Sequence, residues 1–208
     1  MQIIAELCQN HNGDLDTLKE MVVKAKYSGA DIVKIQSIKA NSLTKREEYE
    51  SFRKYSDEYQ RFTSLELSID DELEFIHTAN LHNIKPMTTI FSPNHYDYFN
   101  SLGYDYLKLS GYSMRAFDWG NKLDKFNFKH LVFSTSSLHL HDIEKCIDNL
   151  KGVDFTILHC VCLYPTPFEK LNLQSIEHLK TLHDKIGFSD HSDNLLPSKL
   201  AMFQGIDM

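Results

Sequence analysis

Two lysines close apolar runs in this chain: Lys34 within Asp31-Ile32-Val33-Lys34-Ile35-Gln36, and Lys108 within Tyr104-Asp105-Tyr106-Leu107-Lys108-Leu109-Ser110. A strand covered on both faces rarely carries a lysine, so each one either snorkels from a strand end or holds a phosphate or carboxylate. Hydroxyls close other apolar runs: Thr89, Ser110, Ser134 and Ser189. Ammonium and hydroxyl donors together bind phosphate oxygens through charge-assisted hydrogen bonds. Glu6 ends the first apolar run, Ile3-Ile4-Ala5-Glu6. It reads either as a base or hydrogen-bond partner for a hydroxyl-rich substrate, or as an ion-pair partner of Lys34.

A second constellation lies in Gly187-Phe188-Ser189-Asp190-His191-Ser192, where a small, an acidic and a metal-capable residue follow a short apolar run. His191 is a candidate metal ligand that needs at least one further protein donor. Cys160 and Cys162 fall on one side if their strand continues, and read as buried thiols rather than a metal site. His159 reads as a satisfied strand-end histidine, and His11 as a turn residue that is either structural or lines the site.

The elements that position these residues alternate. Strand-like runs occupy 2–7, 31–36, 84–91, 104–110, 128–135, 155–160 and 185–189, and helical patterns follow at 15–25, 69–79, 94–102, 140–150, 172–183 and 195–203. Ser68-Ile69-Asp70-Asp71 resembles a capping box, with Leu73, Phe75, Ile76 and Ala79 as the apolar face behind it. Residues 39–63, with Arg46, Glu47, Glu48, Tyr49, Phe52, Arg53, Tyr55, Asp57, Tyr59 and Arg61, read as solvated helix or as a lid. Repeated βα units predict parallel strands with helical crossovers. Candidate residues at the ends of many strands favour a (β/α)8 TIM barrel over a doubly wound sheet, and no G-x-G-x-x-G or Walker pattern supports the latter. Only the opening of an eighth strand is present, at Gly205-Ile206-Asp207-Met208.

Composition narrows the partners. With 42% hydrophobic and 25% charged residues, the 208-residue chain reads as one globular domain. A net charge of −7 argues against a nucleic-acid or acidic-membrane surface, so a phosphate ligand must be met by local cations. No leader pattern opens the chain and no apolar run is long enough to span a bilayer. Four cysteines (Cys8, Cys146, Cys160, Cys162) without a disulfide framework fit a cytoplasmic setting.

Four segments then resemble the sialic acid synthase family of N-acetylneuraminate, legionaminate and pseudaminate synthases and the spore-coat polysaccharide protein. They are Ile3 to Asp14, Gly29 to Gln36, Leu158-His159-Cys160 with Tyr164-Pro165-Thr166-Pro167, and Gly187 to His191. The resemblance implies a (β/α)8 barrel that condenses phosphoenolpyruvate with an open-chain N-acetylated amino sugar, assisted by a divalent metal (Mn²⁺ or Mg²⁺), and releases phosphate. By motif, Lys34, Thr89, Lys108, Ser110, Ser134 and Ser189 would hold phosphoenolpyruvate. Glu6, with the two lysines, would serve catalysis, Gln36 and Tyr164 would face the sugar, and His191 would bind the metal. Family members continue into an eighth strand with a second metal-binding histidine, an acidic residue near the sugar, and an antifreeze-like domain that reaches into the partner's site of a homodimer. The expectation is therefore one truncated barrel domain over 1–208 without the antifreeze-like domain, with strands 1 and 7 as bare, association-prone edges. Cys162 stands where the family usually has Asn, and the segment from Lys108 to Ser113 departs from the family pattern around Ser110. The alternative to a synthase is a non-catalytic remnant that keeps the phosphoenolpyruvate pocket.

Overall fold

Short aliphatic runs bounded by turn residues become seven strands: β1 (Ile4–Cys8), β2 (Ile32–Gln36), β3 (Lys85–Thr89), β4 (Tyr106–Leu109), β5 (His130–Ser134), β6 (Phe155–Cys160) and β7 (Ile186–Ser189). The computed structural model describes residues 1–42, 54–116 and 118–208. All six neighbouring pairs are parallel, and the strand order is the order in sequence. A doubly wound sheet reverses its order at a switch point. This sheet never reverses, so it curls in one sense, as the strand-end pattern predicts.

Alternation along the strands builds two cores. Ile32, Met87, Val132, Leu158 and Met208, with Ile4 and Tyr106 against them, fill the inside of the curl as an apolar floor. Their neighbours Val33, Ile35, Leu107, Leu131, Phe133 and Ile157 face the helices. Burying each such side chain contributes roughly 1.5–3 kcal/mol, which makes register slips costly, because a shift of one residue would exchange the two faces.

The helices are α1 (Leu15–Tyr27), α2 (Tyr55–Leu65), α3 (Ile69–Leu81), α4 (Tyr96–Leu102), α5 (Gly111–Ala116), α6 (Leu140–Asn149), α7 (Ser175–Lys180) and α8 (Leu196–Phe203). Asp14 caps α1 by accepting the Thr17 N–H at 2.6 Å, and Ser68 and Asp71 form the reciprocal capping box of α3. On α3 the expected apolar face is rotated: Leu73 is exposed and Glu72 is buried in the stripe with Phe75, Thr78 and Ala79. The helix α7 is shorter than the 172–183 pattern, and α5 was too short to leave a periodic signal. No described helix is long and apolar enough to cross a membrane.

Within the 39–63 excursion, α2 carries no buried residue, which agrees with the solvated-helix reading for that part. Its carbonyl at Ser64 lies against Gly13, where a Cβ would come within 2.4 Å, so the loop after β1 and the end of α2 meet closely. Of the residues named for the solvated-helix or lid alternatives, Arg46, Glu47, Glu48, Tyr49, Phe52 and Arg53 lie outside the described residues.

The expected bare edges are corrected at the base of the sheet. Asp207 donates its N–H to the Ile186 carbonyl at 2.7 Å, Phe188 donates to Met208 at 2.9 Å, and Gln2 donates to the Asp207 carbonyl at 2.6 Å. Residues 207–208 thus join the β7 edge to the segment that enters β1. A tighter approach lies at the start of α5: a Cβ on Gly111 would sit 1.8 Å from the Ser136 carbonyl oxygen and 2.9 Å from that of Ser134. Gly111→Ala is expected to lower the unfolding free energy by about 2 kcal/mol, measured by chemical denaturation.

Candidate active site

Two residues above the apolar floor, each strand turns a polar or reactive side chain inward: Glu6, Lys34, Thr89, Lys108, Ser134, Cys160 and Ser189. The register sets them side by side, pairing Glu6 with Lys34, Thr89 with Lys108, and Cys160 with Ser189. The ring lies at the C-terminal ends of the strands, where parallel α/β sheets expose loops able to do chemistry.

Lys34 is buried, donates to Thr89 Oγ1 at 3.1 Å and forms an ion pair with Glu6. The other Glu6 oxygen accepts the Cys8 N–H at 3.0 Å, across an irregularity in β1 where Cys8 takes φ 53°. The ion-pair reading of Glu6 therefore holds, and the half-exposed carboxylate still reaches the mouth of the chamber. Lys108 shares this chamber. Burial first, then the Lys34 charge, push its pKa down to about 8, against the pull of Glu6, Cys160 and Cys8. Among the described residues two ammonium groups thus face one carboxylate, and the surplus positive charge favours an anion.

The opposite wall is built by β5, β6 and the loops above them. Ser134 Oγ accepts the Ser136 N–H at 3.2 Å, and Ser110 Oγ accepts the Ser113 N–H at 3.1 Å as α5 begins. Cys160 Sγ lies 3.7 Å from His191 Nδ1, and Tyr164 stacks on the imidazole at 4.1 Å with its hydroxyl 3.1 Å from Nε2. The Val161 carbonyl, 2.9 Å from Nδ1, can only accept, so Nδ1 carries a proton. Burial opposes the charged ring, but the Cys160 contact and the Val161 carbonyl outweigh it and hold the His191 pKa above the ordinary value. Cys160 moves the other way: burial raises it, and the bonds to His191 and Ser134 lower it further.

The sequence candidates are thus largely gathered. Glu6, Lys34, Thr89 and Lys108 form one group, while Ser134, Cys160, His191 and Tyr164 form the facing one. Ser189 and Gln36 are half-buried at the ends of β7 and β2. His159 points to the helix layer, where Nε2 meets the Leu171 carbonyl at 2.8 Å, the satisfied histidine that was expected. His11 is buried, and its Nδ1 accepts the Gly13 N–H at 3.0 Å within the turn. Cys162 is corrected: β6 stops at Cys160, and Cys162 is exposed rather than buried. Two contributors were missed. Cys160 was legible once His159 is assigned outward, because its neighbour must then face in. Glu72 was legible as the carboxylate three and seven residues ahead of Phe75 and Ala79 on one helix face.

The sequence model described as the NeuB family matches residues 21–208. The chain belongs to the NeuB family. This NeuB-family chain is 34% identical to the N,N'-diacetyllegionaminic acid synthase of Campylobacter jejuni, over 98% of its own length and 64% of that protein's. It is 33% identical to the enzyme of the same name from Legionella pneumophila, over 98% and 61%. The crystal structure of the N-acetylneuraminic acid synthetase of Leptospira borgpetersenii superposes with a TM-score of 0.85 at 24% identity, covering 98% of this chain and 70% of that one, a likeness of fold. The NeuB-family chain therefore spans about three fifths of the length of these synthases.

The Lys108 shift sets a pH dependence. Its folded pKa of about 8 lies below the ordinary 10.5, so the unfolded chain holds more protons between those values and stability rises with pH across that window. Anion binding runs opposite, because it uses the ammonium form. Affinity for inorganic phosphate, measured by calorimetry, is expected to fall as pH climbs through about 8. Lys108→Met is expected to lose this binding and, relieved first of the cost of burying the charge and then of the lysine–lysine repulsion, to gain about 1 kcal/mol of stability at pH 7, a figure reduced for the partial exposure of the side chain.

Proposed function

We propose that this chain is the larger part of an eight-stranded barrel synthase that condenses phosphoenolpyruvate with an N-acetylated amino sugar to a sialic-type nonulosonic acid. The observation that carries this reading is the pair of lysines, with Thr89, around a small chamber that holds one carboxylate. Phosphoenolpyruvate bears both a phosphate and a carboxylate, which suits two ammonium groups held a strand apart. Lys34, Lys108, Thr89, Ser110, Ser134 and Ser189 bind and orient it. Glu6, tethered by Lys34 and the Cys8 N–H, holds or moves a proton at the chamber mouth. Gln36 and the exposed ring of Tyr164 face the sugar. In the net reaction C3 of phosphoenolpyruvate bonds to the sugar aldehyde carbon, water adds at C2, and phosphate leaves.

The site chemistry fits one share of a divalent metal's coordination. With Nδ1 protonated toward Val161, His191 keeps its lone pair on Nε2, where it accepts the Tyr164 hydroxyl at 3.1 Å; a metal held there would take the place of that hydroxyl, on an imidazole whose tautomer is set by a backbone carbonyl. Among the described residues no group of three or more His, Cys, Asp or Glu side chains, His191 included, is placed to hold a metal ion. A bound Mn²⁺ or Mg²⁺ would supply Lewis-acid polarisation of the aldehyde oxygen.

Phosphate release from phosphoenolpyruvate by the purified chain with Mn²⁺ and N-acetylmannosamine or related sugars tests the reading. Turnover is expected to drop about a hundredfold in Lys34→Ala, which removes a charged donor from the developing phosphate. No release above background with any sugar would overturn the synthase reading for this chain. Calorimetric binding of phosphoenolpyruvate without release would leave an anion-binding module. Unchanged activity in His191→Ala would remove the metal role.

A further inference from the structure

Glu72 lies on α3, behind the sheet and outside the chamber, with 1% of its surface exposed. Its carboxylate accepts three hydroxyls: Ser37 at 2.6 Å and Tyr104 at 3.0 Å on Oε2, and Tyr98 at 2.6 Å on Oε1. Placing a carboxylate this deep is costly unless its bonds are complete, and an apolar residue would fill the same stripe at lower cost. Its partners suggest what the arrangement does. Ser37 Oγ also lies 2.6 Å from Thr88 Oγ1, which accepts the Ser37 N–H at 3.1 Å. Ser37 directly follows Gln36 at the end of β2, and Thr88 directly precedes Thr89 at the end of β3. Because strand side chains alternate, the outward Thr88 fixes the backbone that turns Thr89 inward to Lys34.

We propose that Glu72 is a positioning residue. Through Ser37 and Thr88 it sets, from the far face of the sheet, the spacing of the β2 and β3 ends, and with it the placement of Lys34 and Thr89 around the anion. The identity of that anion rests on the phosphoenolpyruvate reading, whereas the geometry that Glu72 holds does not.

Two variants that each remove one hydroxyl from the same network separate positioning from general stability. Thr88→Val cuts the link to the strand ends, and Tyr98→Phe removes a bond that touches neither strand end. Both are expected to lower the thermal midpoint. Thr88→Val is expected to weaken phosphoenolpyruvate binding by about tenfold, and Tyr98→Phe to leave it within about twofold, because misplacing binding groups by a fraction of an ångström is costly. Amide hydrogen exchange at Gln36 and Thr89 should speed up in Thr88→Val alone. Glu72→Gln, which keeps an acceptor toward Ser37 and Tyr104, should retain affinity that Glu72→Ala loses. Equal loss of affinity in Thr88→Val and Tyr98→Phe, or unchanged exchange at the strand ends in Thr88→Val, would overturn the proposal. A wild-type chain that fails to bind phosphoenolpyruvate would count against the ligand, and the exchange comparison would still decide the role of Glu72.

Discussion

Two ammonium groups, Lys34 and Lys108, are held in one chamber that supplies one carboxylate, Glu6, and this imbalance governs the rest of the site. In water two such charges would separate. Here the register of neighbouring strands forbids it, since Lys34 is fixed opposite Glu6, and Lys108 opposite Thr89. The apolar floor below removes the solvent that would otherwise screen them. The chamber therefore holds electrostatic free energy that an anion would recover on binding, in a chain whose net charge of −7 repels anions at long range. On the proposed reading, a small anion would be favoured, because inside the chamber it would meet the lysines rather than the acidic surface.

The helix layer serves the same end by holding strand ends in place. Glu72 and its hydroxyl partners brace β2 and β3, and Gly111 lets the start of α5 touch the Ser136 carbonyl so that Ser110 and Ser134 share one wall. Neither contact lies inside the chamber. Both concern the distance between neighbouring strand ends, the quantity on which binding an anion at several points depends.

Much of this was legible in the sequence because it depends on period and on local chemistry. Strand-end lysines and hydroxyls announced the ring, Ser68 and Asp71 announced the start of α3, and βα alternation announced a sheet in sequential order. What escaped depends on which way a side chain turns. Leu73 and Glu72 are neighbours on a helix, and hydropathy alone assigns the leucine inward, yet three hydroxyls from other elements satisfy the carboxylate and reverse the choice. Cys162 was grouped with Cys160 on the premise of a continuing strand, and the strand ends between them. The short α5 left no signal because six residues are fewer than two turns.

The hydrogen bond from Gln2 to Asp207 has a kinetic meaning as well. Every other strand pairing joins consecutive βα units, so its loop-closure entropy is modest and the sheet can grow by addition of neighbours. The Gln2–Asp207 contact spans nearly the whole chain, and its closure is repaid only when the intervening units are already in place. It is thus a seam suited to closing last, and the apolar floor beneath the lysines, to which Met208 contributes, is completed only at that moment.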